Sequence, residues 1–203
     1  MSDKRFLDRV YDFAGSGDVK GLYDEWADSY DAELSEAGYA TPGRVARAMR
    51  ETGCVGPVLD IGCGTGLSGR ALAGAGYEVI DGNDLSAPML ERARALGVYR
   101  RLWQCGPDPL EGVAPGDFPT IAAIGMISHG AAPAHVLDDA LAALAPGGRL
   151  AVSFNQHTLD DPAYTGALDA ALTDGRARRL FAEHGPHLAG EKLESTVYVL
   201  ERA

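Results

Sequence analysis

The sequence predicts an α/β fold built on one open, mostly parallel sheet, and three observations carry that prediction. Val58-Leu59-Asp60-Ile61 is an apolar strand containing one acid, followed at once by Gly62, Gly64 and Gly66 and then by a helix start. From there on, apolar runs alternate with segments of helical period, the pattern of βαβ units. The chain has 203 residues with 46% hydrophobic content, which suits a single domain with its own core.

The elements come in this order. Phe6, Leu7, Val10, Tyr11 and Phe13 recur at helical spacing, and Gly15-Ser16-Gly17 breaks that helix. A second helix is predicted over 23–34, with Tyr23, Trp26 and Tyr30 on one face, and a third over 41–52, where Thr41 caps and Pro42 takes the first helical position. The first strand covers 57–61. A helix over 67–75 is stopped by Gly74 and Gly76, and the second strand starts at 77–80 and runs on toward Asp84. Ser86 caps a helix that Gly97 ends. The third strand covers 98–104. The fourth, 120–127, is an almost unbroken apolar run and so should be buried on both faces. Next come a helix over 134–144, a fifth strand over 149–154 and a helical segment from Asp161-Pro162 to about His184. His187-Leu188-Ala189 and residues 196–200 read as a closing antiparallel pair.

Charge excludes some partners. The net charge is −11, so a nucleic acid is not expected as a partner. Arg92, Arg94, Arg100 and Arg101, the densest basic group, read as a solvated helix end. Cys54, Cys63 and Cys105 have neither disulfide-framework nor zinc spacing, and Cys63 fills space in the glycine turn. There is no apolar run of about 18 residues and no signal-peptide pattern, so no membrane is expected and the expected location is the cytoplasm.

The glycine turn carries the chemistry. Glycines let backbone N–H groups approach a ligand with no Cβ in the way, and a helix N-terminus completes a polar cradle. Asp84, twenty residues past Gly64, is placed to accept hydrogen bonds from the two hydroxyls of a ribose. An adenosine-containing cofactor is therefore expected. Two cofactors compete. Residues 64–69 satisfy G-x-G-x-x-G, the dinucleotide fingerprint, which favours NAD and an oxidoreductase. Asp60 favours the other: a pyrophosphate disfavours an added carboxylate, whereas a cofactor with a sulfonium and an ammonium is suited by one.

Asp60, Gly62, Gly64 and Gly66 fill the pattern (D/E)-x-G-x-G-x-G, and here the sequence resembles the class I S-adenosylmethionine-dependent methyltransferases. Residues 83–90 are similar to the family's D-x-S-x-x-M-L stretch, 144–150 to its L-x-P-G-G-x-L turn and 23–31 to its Y-D-x-W-A-x-x-Y-D helix. The subgroup resembled is that of the Williams–Beuren syndrome region methyltransferase-like proteins.

The resemblance implies a single Rossmann-like domain. Its sheet has seven strands in the order 3-2-1-4-5-7-6, with strand seven antiparallel and helices on both faces. Tyr23, Trp26 and Tyr30 on one helix face read either as core packing or as an aromatic lid over the cofactor, and the expected division is a helical lid over residues 1–40 and a cofactor-binding domain over 41–203. The cofactor would be S-adenosylmethionine, leaving S-adenosylhomocysteine. Asp84 would serve the ribose, Leu85 the adenine, and Asp60 the methionine end at the turn of Gly62, Gly64 and Gly66. Tyr23, Tyr30 and Met126 would complete the binding set. Where the family has an acid for the adenine amino group this chain has Gly106, and Asp108 could substitute. Phe118-Pro119 also departs from the family's Phe-Asp at the fourth strand.

Methyl transfer from a sulfonium is an in-line displacement that depends on alignment in a dry site, with a base only if the nucleophile must lose a proton. His129 and His157 fall at strand ends on the ligand rim, and His129 is the candidate base. No metal is expected. The expected function is methyl transfer to a small-molecule acceptor at O, N or C. The other readings are a cofactor-binding regulatory module without catalysis and an NAD-dependent oxidoreductase.

Overall fold

The structure is a computed structural model that describes residues 19–27, 29–128 and 130–203. Its elements are α1 (Val19–Trp26), α2 (Tyr30–Glu36), α3 (Thr41–Glu51), β1 (Val58–Ile61), α4 (Leu67–Gly74), β2 (Ile80–Asp84), α5 (Ala87–Ala95), β3 (Arg101–Gln104), β4 (Thr120–Ala123), α6 (Val136–Ala143), β5 (Arg149–Asn155), α7 (Gln156–Leu159), α8 (Pro162–Thr173), β6 (Ala177–Leu188) and β7 (Leu193–Arg202). The seven strands form one sheet in the order β3-β2-β1-β4-β5-β7-β6, as expected. The first five pair in parallel, and β7 is antiparallel to both β5 and β6.

Strand alternation sorts the core into two layers. Leu59, Ile61, Ile121, Leu150 and Phe154 face α6 and α8. Val58, Ile80, Ala122, Ala151 and Val197 face α3 and α4. Asp60 falls on this second face, where its carboxylate meets Ser68 of α4.

Several elements differ from the sequence reading. The helix predicted over 23–34 is two helices, α1 and α2, separated at 27–29. The helix expected near Phe6 to Phe13, with the Gly15-Ser16-Gly17 hinge, lies outside the described residues. The second strand begins at Ile80 rather than Tyr77. Tyr77 is instead buried beneath Arg50, its hydroxyl donating to the Cys54 carbonyl, after Gly76 (φ +90°) has ended α4. The strand continues through Asp81 and Asn83 to Asp84, as expected; both of these polar residues are fully buried and both are satisfied. Arg100 and Arg101 close on the Asp81 carboxylate at 2.6 and 2.5 Å, so these two arginines are not the solvated helix end expected of them. The fourth strand ends at Ala123, because the Gly125 N–H donates to the Ser153 hydroxyl rather than to a ladder carbonyl.

The largest correction is at the end of the chain. No helix reaches His184. Gly175 (φ +71°) closes α8, with the Gly175 N–H bonded to Leu172 O and the Arg176 N–H to Ala171 O, a Schellman stop. From Ala177 the chain runs instead as the twelve-residue strand β6. Gly185-Pro186 obscured that strand, yet β6 lies at the sheet edge and its register shifts between Pro186 and Leu188, where a missing N–H costs no ladder bond. Among the described residues no helix is long and apolar enough to cross a membrane.

Candidate active site

β1 delivers the chain to a turn in which Gly62, Gly64 and Gly66 all have left-handed φ, +62°, +54° and +93°. The three glycines answer to different demands. A Cβ on Gly62 would stand 2.3 Å from Met126 Cγ, because the loop after β4 crosses the turn there. A Cβ on Gly66 would meet Leu96 Cδ1 at 2.7 Å and the Ala93 backbone at 3.2 Å, where α5 packs. Only at Gly64 is the space open, with nothing within 4 Å. Of the three, Gly64 alone leaves its flank to a ligand. Met126 thus lies over the turn.

Asp60 lies beneath the turn, fully buried. Its Oδ2 accepts hydrogen bonds from the Ser68 hydroxyl at 2.6 Å and the Tyr99 hydroxyl at 2.7 Å. Its Oδ1 is buried and meets no donor among the described residues. Burial pushes this carboxyl up from 3.8 to about 6, against the two hydroxyl bonds, which pull it down.

Tyr99 is the residue that sequence reasoning missed. Its ring fills the space under the turn: a Cβ on Gly69 would come within 2.2 Å of Tyr99 Cζ, and one on Gly82 within 2.8 Å of Cε1. Its hydroxyl also accepts the Gly69 N–H at 3.0 Å. The last glycine of the G-x-G-x-x-G run is therefore explained by a tyrosine and needs no dinucleotide. Cys63 is buried, its Sγ 3.1 Å from where a Cβ on Gly82 would stand, in the space-filling role expected of it. Asn83, also unsuspected, staples three segments. Its Oδ1 accepts from Gly62 N–H at 3.4 Å, its main-chain O takes the Cys63 N–H at 2.9 Å, and its Nδ2 donates to Pro109 O at 2.6 Å.

Asp84 ends β2 beside the turn. One carboxylate oxygen accepts the Gly64 N–H and the other the Ser86 N–H, each at 2.9 Å. Each oxygen keeps a further lone pair, so a pair of vicinal hydroxyls can still be bound. Burial raises this carboxyl's pKa; the two N–H bonds oppose the shift and the charge of Asp24 adds to it. Leu85, half-buried, comes next, and its carbonyl accepts from Gln104 Nε2 at the end of β3.

Gly106 lies just past β3. Asp108 turns its carboxylate onto its own loop, Oδ1 accepting the Leu110 N–H at 2.8 Å. The acid beside Gly106 is Glu111, whose Oε2 lies 3.5 Å from where a Cβ on Gly106 would stand. The fixed-spacing alignment could not find Glu111, because the loop folds back.

Tyr23, Trp26 and Tyr30 form one aromatic cluster, with ring centroids 4.6 to 6.5 Å apart. Trp26 is buried with Leu22, Leu34, Met89 and Leu188, while Tyr23 and Tyr30 are half-buried. The Tyr30 phenol is pushed well up by burial, then by Tyr39, Tyr23, Asp84 and Asp31 around it. Asp31 of α2 accepts from the Thr65 hydroxyl of the turn at 2.5 Å.

His129 lies outside the described residues. His157 is exposed in α7. The histidine that is built in is His187, at the end of β6: buried, bonded through Nδ1 to the Thr41 hydroxyl at 2.8 Å, and edge-on to Tyr39. Burial, with the charges of Arg44 and His157, pushes it down to about 4, so it is neutral at physiological pH.

These features fit S-adenosylmethionine. An open glycine flank, a buried carboxylate with an oxygen to spare and an acid with lone pairs for a diol match its main-chain approach, its cationic end and its ribose. Residues 59–150 match the family described as methyltransferase domain. Human methyltransferase-like protein 27 is 33% identical over 74% of this chain and 63% of its own length. A ubiquinone biosynthesis O-methyltransferase of Methylococcus capsulatus is 31% identical over 58% of this chain and 52% of its own length, so the chain spans less than two thirds of these curated relatives. Among solved structures, a TehB-like S-adenosylmethionine-dependent methyltransferase from Corynebacterium glutamicum shares the fold: TM-score 0.62 and 22% identity, over 90% of this chain and 100% of that one. Turn, sheet order and sequence relatives agree, and residues 59–150 belong to a methyltransferase domain of the S-adenosylmethionine-dependent kind.

Proposed function

We propose that the chain transfers the methyl group of S-adenosylmethionine to a small-molecule acceptor at an O, N or C nucleophile. The observation that carries this is the Gly64 flank, open while Gly62 and Gly66 are closed by protein, with Asp60 beneath it and Asp84 beside it. When bound, the cofactor supplies a methyl group already activated on a sulfonium, so no metal is needed to activate the donor.

The chain's own residues bind and align. Asp84 accepts from the ribose hydroxyls while its two backbone bonds fix its orientation. Leu85 packs on the adenine, and Glu111 takes its amino hydrogens in place of the acid missing at Gly106. Asp60 Oδ1 attracts the cationic end, directly or through water. Tyr23 of α1 and Tyr30 of α2, from the described part of the segment expected to be a lid, exclude water above the site. Such alignment is worth several powers of ten in rate without any proton transfer. His129 is the proposed base where the nucleophile carries a proton. The ubiquinone O-methyltransferase relatives support a small-molecule acceptor by their names.

The test is binding of S-adenosylhomocysteine and NAD by calorimetry, beside a methyl-transfer screen over phenols, amines and acids. Tighter binding of NAD refutes the cofactor assignment. Tight S-adenosylhomocysteine binding without turnover on any acceptor favours a regulatory module instead.

A further inference from the structure

A cleft of about 650 Å³ opens between α2, α3 and α4, a size suited to a small organic ligand. Asp31, Ser35, Tyr39 and Arg70 are its polar wall. Two of these tie it to the site already described without placing it in the cofactor's position. Asp31 is hydrogen-bonded to Thr65 of the glycine turn. The Tyr39 hydroxyl hangs over the chain just past β4, 2.7 Å from where a Cβ on Gly125 would stand. An occupant of the cleft would therefore lie alongside the turn, with one end at the carboxyl rim of the central strands.

Arg70 is the cationic side chain at the wall of the cleft. It is the only lysine or arginine among the described residues that line it. In a chain of net charge −11, arginines such as Arg100, Arg101 and Arg176 are held by carboxylates. Arg70 is exposed on α4 and has no carboxylate partner among the described residues. A guanidinium presents a planar fork of donors that matches a carboxylate, and at the wall of a cleft it favours an anion over its neutral isostere.

We propose that this cleft is the acceptor site and that the acceptor is a small carboxylic acid. Its carboxylate pairs with Arg70, and its nucleophilic group is turned toward Asp31 and Tyr39. This rests on the methyl-transfer reading above and narrows it to an acceptor class.

The experiment uses the full chain saturated with S-adenosylhomocysteine. Hydroxybenzoates, aminobenzoates and phenyllactate are titrated, each beside its neutral amide, by calorimetry and by NMR of the Arg70 side-chain and Ser35 amide nitrogens. The acids should bind about ten-fold or more tightly than the amides and move both signals. Arg70→Ala should abolish that preference and leave S-adenosylhomocysteine affinity within two-fold, and Arg70→Glu should reverse it. The proposal is overturned if no acid binds the loaded protein, if acid and amide bind alike, or if Arg70→Ala keeps the preference. Failure of S-adenosylhomocysteine itself to bind is a separate result: it refutes the cofactor reading and removes the basis of this one.

Discussion

Asp60 lies beneath the proposed cofactor site, so cofactor affinity should depend on pH in a window that this residue sets. Its carboxyl sits at about 6 rather than 3.8, with burial the leading cause. At pH 7 that shift represents about 3 kcal/mol that the cofactor-free fold gives up to hold a buried charge. The sign comes from linkage: the folded value is raised, so this group alone makes the cofactor-free protein more stable as pH falls from about 6 to 3.8. A cationic ligand does the reverse. It favours the ionised form, so binding releases a proton below about pH 6 and affinity climbs with pH until it levels above that point. At pH 5 about one tenth of Asp60 is ionised, so S-adenosylmethionine should bind about ten-fold more weakly than at pH 7, or ~1.4 kcal/mol.

The other titratable neighbours are Tyr99 and Cys63, both pushed up and so neutral throughout, and Asp84, which is also raised. Asp60→Asn separates them, since any slope that remains belongs to Asp84. The variant loses the charge penalty but buries an amide beside the unfilled Oδ1 position, a cost of about 1–3 kcal/mol. Its stability should therefore stay near that of the parent, while cofactor affinity at pH 7 falls at least ten-fold. The assay is calorimetry from pH 5 to 8 in two buffers of different ionisation heat. A parent profile flat across pH 5 to 7, with no proton release, would refute the reasoning.

Tyr99→Phe removes a donor to the same carboxylate, so the binding curve should move to higher pH and stability should fall by about 1–3 kcal/mol, read by denaturant unfolding. Gly64→Ala meets no protein atom, so its fold should survive with about 1 kcal/mol of left-handed strain while cofactor binding is lost; retained binding in calorimetry would put the ligand elsewhere. Glu111→Ala should lower S-adenosylhomocysteine affinity several-fold but leave its inosine analogue unaffected, since only the adenine form offers amino hydrogens; equal losses for both ligands would remove Glu111 from the site.

What the sequence discloses depends on whether a residue's reason is local. The turn after β1 was legible because left-handed backbone selects glycine wherever it occurs, and Gly62, Gly64 and Gly66 each adopt it. The sheet order came with the family motifs. The start of β2 was not legible, because Tyr77 and Val79 have strand character, yet Tyr77 is drawn under Arg50 of α3 and bonded to the Cys54 carbonyl, both distant in sequence. β6 was hidden by Gly185-Pro186, which breaks a central strand but not an edge. His187 drew no notice as a site residue because its partner Thr41 lies 146 positions away.

The same distinction bears on how glycine motifs are read. Gly69 completes a dinucleotide fingerprint, yet the object that excludes a side chain there is the ring of Tyr99, thirty residues on. That same ring caps the Asp60 carboxylate, the group that disfavours a pyrophosphate. One tyrosine thus both produces the spacing that points to NAD and holds in place the charge that argues against it. Glycine spacing can therefore identify a turn, but the chemistry of the ligand must be read from what each missing Cβ would have touched.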